Sequence, residues 1–243
     1  FRGIKGSDSA TGEGHDVTVT AEGTIRTTGT RAHGIVAQSV SGGGGIVGDR
    51  TGISYGANTS QGGTAQTSGK VTIGQAGSIA TTGFESIGIL AQSSAGARPG
   101  EVDISIDGDV TGGTGSNGAG VMILQSGPSA VYINQGAVVS AGDADAWSVR
   151  ARVDENGFVD VYNYGTLNGD VSLQSTEGVG GHVQNDGTWT GVDRSAADVT
   201  NAGTVDLVAE PGTMTAAGRS VGPAPVPPAP DRAGIDDARI RGD

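Results

Sequence analysis

The chain has no cysteine, which excludes disulfides, thiolate catalysis and cysteine-bound metals. That absence suits a secreted chain that must stay unfolded during export. Aromatic residues are scarce: three Phe, four Tyr and two Trp among 243 residues. Basic residues are outnumbered, and the formal net charge is −12. A chain of that sign repels nucleic-acid phosphates and anionic membrane surfaces, so nucleic acid is not an expected partner. No apolar run approaches the roughly 18 residues that a membrane-spanning helix needs. No signal-peptide pattern opens the sequence, which starts abruptly at Phe1 and reads as part of something longer.

What is present is strand-and-turn chemistry. Glycine is abundant, at 46 residues. Val, Ile and Thr recur in short runs broken by Gly, Asn and Asp. The dominant feature is an internal repeat. Residues 16–39, DVTVTAEGTIRTTGTRAHGIVAQS, align without a gap on residues 70–93, KVTIGQAGSIATTGFESIGILAQS. Looser copies follow: EVDISIDGDV at 101–110, AVYINQGAVV at 130–139, VDVYNYGTL at 159–167, HVQNDGTW at 182–189 and DVTNAGTV at 198–205. Anchored on glycines 23, 77, 108, 136, 165, 187 and 203, the spacings are 54, 31, 28, 29, 22 and 16 residues.

Each full copy holds three pieces too short for helices. In the first copy they are DVTVTA, TIRTTG and GIVAQS. Three strands per tandem unit fit one coil of a parallel β-helix, an all-β solenoid whose coils stack at about 4.8 Å. Alternate residues then point inward. The spacing predicts one inner file of Val17, Val71, Val102, Val131 and Val159. A second is Ile25, Ile79, Val110, Val138, Leu167, Trp189 and Val205. A third is Ile35, Ile89, Met122, Val149 and Val171, beside Ala37, Ala91, Leu124, Ala151 and Leu173. Asn134, Asn163, Asn185 and Asn201, each two residues before an anchor, are expected to form a corner ladder. The recurrent Gln38, Gln92, Gln125 and Gln174 are expected to be rungs as well.

Domain boundaries follow from composition. Residues 1–14 are a ragged start and 15–210 the β-helix. Residues 42–69 form a Gly-, Ser- and Thr-rich insertion of the kind that projects from a solenoid. Residues 211–243 are a proline-rich spacer and charged tail.

Candidate chemistry is thin. The glycine tract at 42–45 lacks the lysine and the following helix of a phosphate loop. His15, His33 and His182 lie in different copies and form no HExxH. Asp103, Asp107 and Asp109, with Asp143 and Asp145, are the acidic clusters that could bind calcium or act in pairs on a sugar. The calcium-binding nonapeptide of β-rolls is absent, and solvated turn carboxylates are the simpler reading. Arg241-Gly242-Asp243 matches an integrin-binding tripeptide, a match that chance supplies often. No catalytic, cofactor-binding or metal-ligating residue is assigned, no cofactor is expected, and the chain is not expected to be an enzyme.

GTIRTTGTRAHGIVAQSVSGGGG (23–45), GSIATTGFESIGILAQS (77–93) and the Asn-x-Gly-Thr turns at 163–166, 185–188 and 201–204 resemble autotransporter passenger domains of Gram-negative bacteria. The resemblance covers about residues 15–208. It implies a right-handed parallel β-helix displayed at the cell surface. Outer-membrane attachment would run only through a C-terminal barrel absent from this chain. It also implies roles in adhesion or aggregation, with host surface molecules, glycans or sister cells as partners. Two other readings remain: a carbohydrate-active β-helix enzyme, and a passive spacer presenting an N-terminal domain.

Overall fold

The computed structural model describes residues 12–41, 46–48, 53–55, 67–124, 126–153, 157–176, 178–195 and 197–206. The proline-rich segment, the terminal Arg-Gly-Asp, Gln125 and most of the 42–69 insertion lie outside the described residues.

Short strands bounded by glycine corners stack coil upon coil. The first coil holds β1 (Val17–Ala21), β2 (Thr24–Thr27) and β3 (Ile35–Val40), and a hairpin of β4 (Ile46–Gly48) and β5 (Ile53–Tyr55) follows. The second holds β6 (Val71–Gln75), β7 (Ser78–Thr81) and β8 (Ile87–Ser94); the third, β9 (Val102–Ile106), β10 (Asp109–Thr111) and β11 (Ala119–Leu124). The fourth holds β12 (Ser129–Ile133), β13 (Val138–Ser140) and β14 (Trp147–Val153); the fifth, β15 (Val159–Asn163), β16 (Thr166–Asn168) and β17 (Asp170–Ser175). After the two-residue β18 (Gly178–Val179), the sixth coil keeps β19 (Gly181–Asn185) and β20 (Thr188–Thr190). The seventh keeps β21 (Asp198–Asn201) and β22 (Thr204–Asp206).

Strands pair in parallel with their counterparts one coil away, giving three sheets. The first is β1-β6-β9-β12-β15-β19-β21, and the second is β2-β7-β10-β13-β16-β20-β22. The third runs β3-β8-β11-β14-β17 and ends in β18, which pairs antiparallel with β17. This is a parallel β-helix. Thr67, Ser68 and Gly69 belong to a coil corner rather than to the insertion, because Thr67 bridges to Arg98 and accepts from Gly14 N–H.

The core is a set of aliphatic files inside the three sheets, and neighbouring coils supply the burial that one coil lacks. Val19, Ile73, Ile104, Val131, Val161 and Val183 form one continuous inward file. Ile25, Ile79, Val110, Val139, Leu167, Trp189 and Val205 form another.

All three predicted files need correction. Val131 pairs with Ile104, so Ser129 continues the Val17–Val71–Val102 file, and Val139 takes the place expected of Val138. The cause is two extra residues in the fourth corner. Gly136 adopts a left-handed φ of 90°, and Ala137 occupies the anchor position; Thr166 N–H donates to its carbonyl. In the third sheet Val121 and Ile123 face inward, not Met122 and Leu124. The segment AGVMIL is apolar on both faces, so alternation does not choose its side. Leu90, Met122, Ile87 and Ala119 form a separate buried cluster on the other face of that sheet.

The corners explain the GIxAQS motif. Ile and Ala face the core, and the Gln38 side-chain amide donates to Gln92 Oε1 at 2.8 Å as a rung. The serine is a buried corner clasp. Ser39 Oγ donates to His15 O and accepts from Gly69 N–H; Ser93 Oγ donates to Gly69 O and accepts from Gly100 N–H. The anchor glycines are required by close approach. A Cβ on Gly77 would collide with the carbonyl oxygen of Gly23, and one on Gly108 with that of Gly77.

Three of the four predicted ladder asparagines stack. Asn163 Nδ2 donates to Asn185 Oδ1, and Asn185 Nδ2 to Asn201 Oδ1, each at 2.6 Å. Asn134 is displaced by the two extra corner residues. Its Nδ2 donates outward to Ser105 Oγ at 3.0 Å and Asp107 Oδ1 at 2.8 Å, and Ile133 takes its place above Asn163.

Candidate functional site

The acidic residues singled out in the sequence do not converge. Asp103 points outward from the first sheet and forms an ion pair with Lys70, which also approaches Glu101 at 3.4 Å. The hydrogen bond from Lys70 to Asp103 is the largest cause of its raised pKa. Asp107 accepts from Asn134 at the corner. Asp109 lies on the second sheet, beside Ser78 and Val138. Asp143 caps a turn, accepting from the N–H groups of Gly115, Asp145 and Ala146. These carboxylates shape corners; they are not a facing pair across a cleft. No group of three or more His, Asp or Glu residues is placed to hold a metal ion among the described residues.

The histidines are also apart. His15 contributes its carbonyl to the Ser39 clasp. His33 Nδ1 accepts from Ile87 N–H at 3.0 Å, and burial lowers its pKa to about 4. His182 Nε2 lies 3.0 Å from Thr200 Oγ1 on the outer face of the first sheet.

The insertion contains two further motif spacings. Gly43, Gly45 and Gly48 have the spacing of a dinucleotide fingerprint, and Gly52-Ile53-Ser54-Tyr55-Gly56 that of a hydrolase nucleophile elbow. Both motifs act through a helix that follows a strand. Here Gly48 ends β4, which pairs antiparallel with β5, and Ser54 sits within β5 opposite Val47. Among the described residues neither motif is followed by a helix.

One corner carries backbone strain. Arg31 and Glu85, at equivalent positions in successive coils, have φ of 57° and 54°; Gly115 takes the next such position at 79°. The two side chains form an ion pair at 2.8 Å, and Asn117 Nδ2 donates to Glu85 Oε1 at 2.9 Å. Burial alone would raise the Glu85 pKa, but these hydrogen bonds and the Arg31 charge hold it below its usual value. The ion pair offsets a left-handed conformation that costs a non-glycine residue about 1–2 kcal/mol.

The most distinctive surface is the outer face of the first sheet. Its central file reads Thr20, Gly74, Ser105, Tyr132, Tyr162, Gln184 and Thr200. The Tyr132 and Tyr162 rings stack with centroids 5.0 Å apart and planes 8° from parallel. Tyr132 is 39% exposed, and Tyr164, at the adjoining corner, is 42% exposed. Tyr162 Oη donates to Asp160 Oδ2 at 3.4 Å. Sequence reasoning missed this cluster. The available signal was a tyrosine fourth in the strand in two successive copies, SAVYI and VDVYN.

Comparison with known proteins adds no identity: no family model, no curated protein and no solved structure matches this chain.

Proposed function

We propose that this chain is part of a surface-displayed passenger β-helix of the autotransporter type, serving as a structural and adhesive stalk anchored to a bacterial outer membrane. The observation that carries the reading is that the polar groups are committed to stacking. Gln38, Ser39, Ser93, Asn163, Asn185 and Asp143 serve rungs, clasps and turn caps. What such a stack offers to other molecules is its outer faces, which suits attachment better than turnover. The lack of cysteine and the acidic balance fit an exported, self-repelling surface protein. The acidic residues that motivated a carbohydrate-cleaving alternative are dispersed over separate sheets and corners.

The test uses the complete reading frame in the bacterium that encodes it. Antibodies raised against residues 15–208 should label intact cells, and brief protease treatment should remove the label. Deleting the reading frame should weaken attachment or autoaggregation. Labelling seen only after cells are broken open would overturn the surface assignment.

A further inference from the structure

We infer that the tyrosine face of the first sheet is a binding shelf for a neutral, hydroxyl-rich glycan chain. The inference rests on the adhesive reading above and gives it a ligand class.

The shelf follows from the order of residues along three adjacent outward files. The central file steps from the small residues Gly74 and Ser105 up to Tyr132 and Tyr162. Tyr162 covers one face of the Tyr132 ring. The other face looks along the helix axis over Ser105 and Gly74, and the space where a Gly74 side chain would stand is open. Two strand spacings give this step a length of about 10 Å, enough for a disaccharide. One flanking file is Thr72, Asp103, Ala130, Asp160 and His182. On the other side stand Asp107, Asn134, Tyr164 and Asp186, the residues that follow the strands in successive coils.

The arrangement matches the two surfaces of a pyranose ring. Its C–H face is apolar and electropositive and stacks on an electron-rich aromatic face, while its rim of hydroxyls donates to carboxylates and amides. Tyr132 supplies the aromatic face. Asp103, Asp107 and Asn134 stand at the rim, with Asn134 already donating to Asp107 Oδ1 and Ser105 Oγ. Pre-ordered polar groups lose little freedom on binding. Charge selects the class of glycan. Asp103, Asp107, Asp160 and Asp186 surround the tyrosines, and the neighbouring cation, Lys70, is engaged by Asp103 and Glu101. Sialylated, sulfated or uronic chains would meet like charge. Burial and Asp160 raise the Tyr162 pKa, and burial and Asp186 raise that of Tyr164, so both hydroxyls remain donors.

The experiment applies the purified 243-residue chain to a glycan array. The array carries neutral glucan, mannan, galactan and N-acetylglucosamine oligomers beside sialylated, sulfated and uronic ones. The expected result is retention on neutral chains, reduced about tenfold or more by Tyr132→Ala. Ser105→Tyr is the second variant. It extends the aromatic column into the shelf, so it should abolish retention while leaving the thermal melt unchanged or raised. Tyr132→Phe keeps the ring face and should retain binding within about threefold.

Three results would overturn the proposal: no neutral glycan retained, preference for anionic chains, or retention indifferent to Ser105→Tyr. Sedimentation distinguishes a self-association face, which would appear as dimers lost in Tyr132→Ala with no glycan retained, and this too would overturn it. Cells displaying the Ser105→Tyr protein separate the two levels of inference. Surface labelling with unchanged attachment would remove the glycan shelf and leave the stalk.

Discussion

The two ends of the stack solve the same problem with different chemistry. In coils one to four, the residue closing each first-sheet strand is Ala21, Gln75, Ile106 and Ile133; in coils five to seven it is Asn163, Asn185 and Asn201. The early coils are wide, with a long third strand, aliphatic files and serine clasps. The late coils are short, and the parallel part of the third sheet ends at β17. There β18 folds back on Gln174 and Ser175, Asp193 bridges to Val171, and Ser195 Oγ accepts from Leu173 N–H. That edge is thereby shielded from pairing with another chain. A wide coil can bury enough aliphatic surface to order itself against its neighbours. A narrow one gains from a column of amides that satisfy each other.

The sharpest test of that contrast places the same residue in both regions. Ile104→Asn removes a fully buried aliphatic side chain and leaves an amide among Val, Ile and Leu, so a loss above about 4 kcal/mol is expected. Ile133→Asn should cost about 2 kcal/mol less. Asn163 Oδ1 is buried with no partner among the described residues, and an amide at 133 could donate to it. Equal midpoints in urea for the two variants would show that the ladder cannot be extended.

Asn185→Leu should cost about 2–3 kcal/mol, because it cuts the ladder in its middle and strands the amides of Asn163 and Asn201. Hydrogen exchange should show the loss in coils five to seven and not in coils two and three. Uniform loosening would mean that the two regions melt as one.

Acid should discriminate between the ends in the opposite direction. His33 has a pKa near 4 when folded and about 6.5 as an unperturbed group. Between those values the unfolded chain takes up a proton that the folded chain excludes. Stability is therefore full above about pH 6.5, falls as the pH drops, and is reduced by on the order of 2 kcal/mol below pH 4, allowing for the partial exposure of the ring. His33→Asn, whose oxygen can still accept from Ile87 N–H, should flatten this dependence in coils one and two. A pH slope unchanged in that variant would assign the effect elsewhere.

The smallest effect is expected at Lys70. Its ion pairs with Asp103 and Glu101 are largely solvent-exposed, so Lys70→Met should shift stability by no more than about 1 kcal/mol, and less in high salt.

Most of the fold was legible in the sequence because the first two coils are nearly identical copies. Val17, Ile25, Ile35 and Ala37 pair with Val71, Ile79, Ile89 and Ala91, as the gapless alignment requires. Legibility failed where one residue served a purpose that its copies did not. Gly136 resembles the anchor glycines, yet it is there for its left-handed φ, and Ala137 does the stacking. Aligning on the wrong glycine shifted Val131, Val138 and Asn134 together. The tyrosine shelf was hidden for another reason. Repetition marks what faces the core or a neighbouring rung, whereas the shelf depends on a change along a file, from Gly74 and Ser105 to two tyrosines.

The shrinking distance between paired strands also bears on the order of assembly. Pairing β1 with β6 joins residues 54 apart in the chain, whereas pairing β19 with β21 joins residues 16 apart. The entropy lost in closing the longer loop is greater by about 1 kcal/mol, a several-fold difference in the chance of first encounter. Nucleation is thus favoured among the short late coils, each completed coil then offering a paired template to the one before it. The stack has a preferred direction of growth, from its narrow end back toward its wide one.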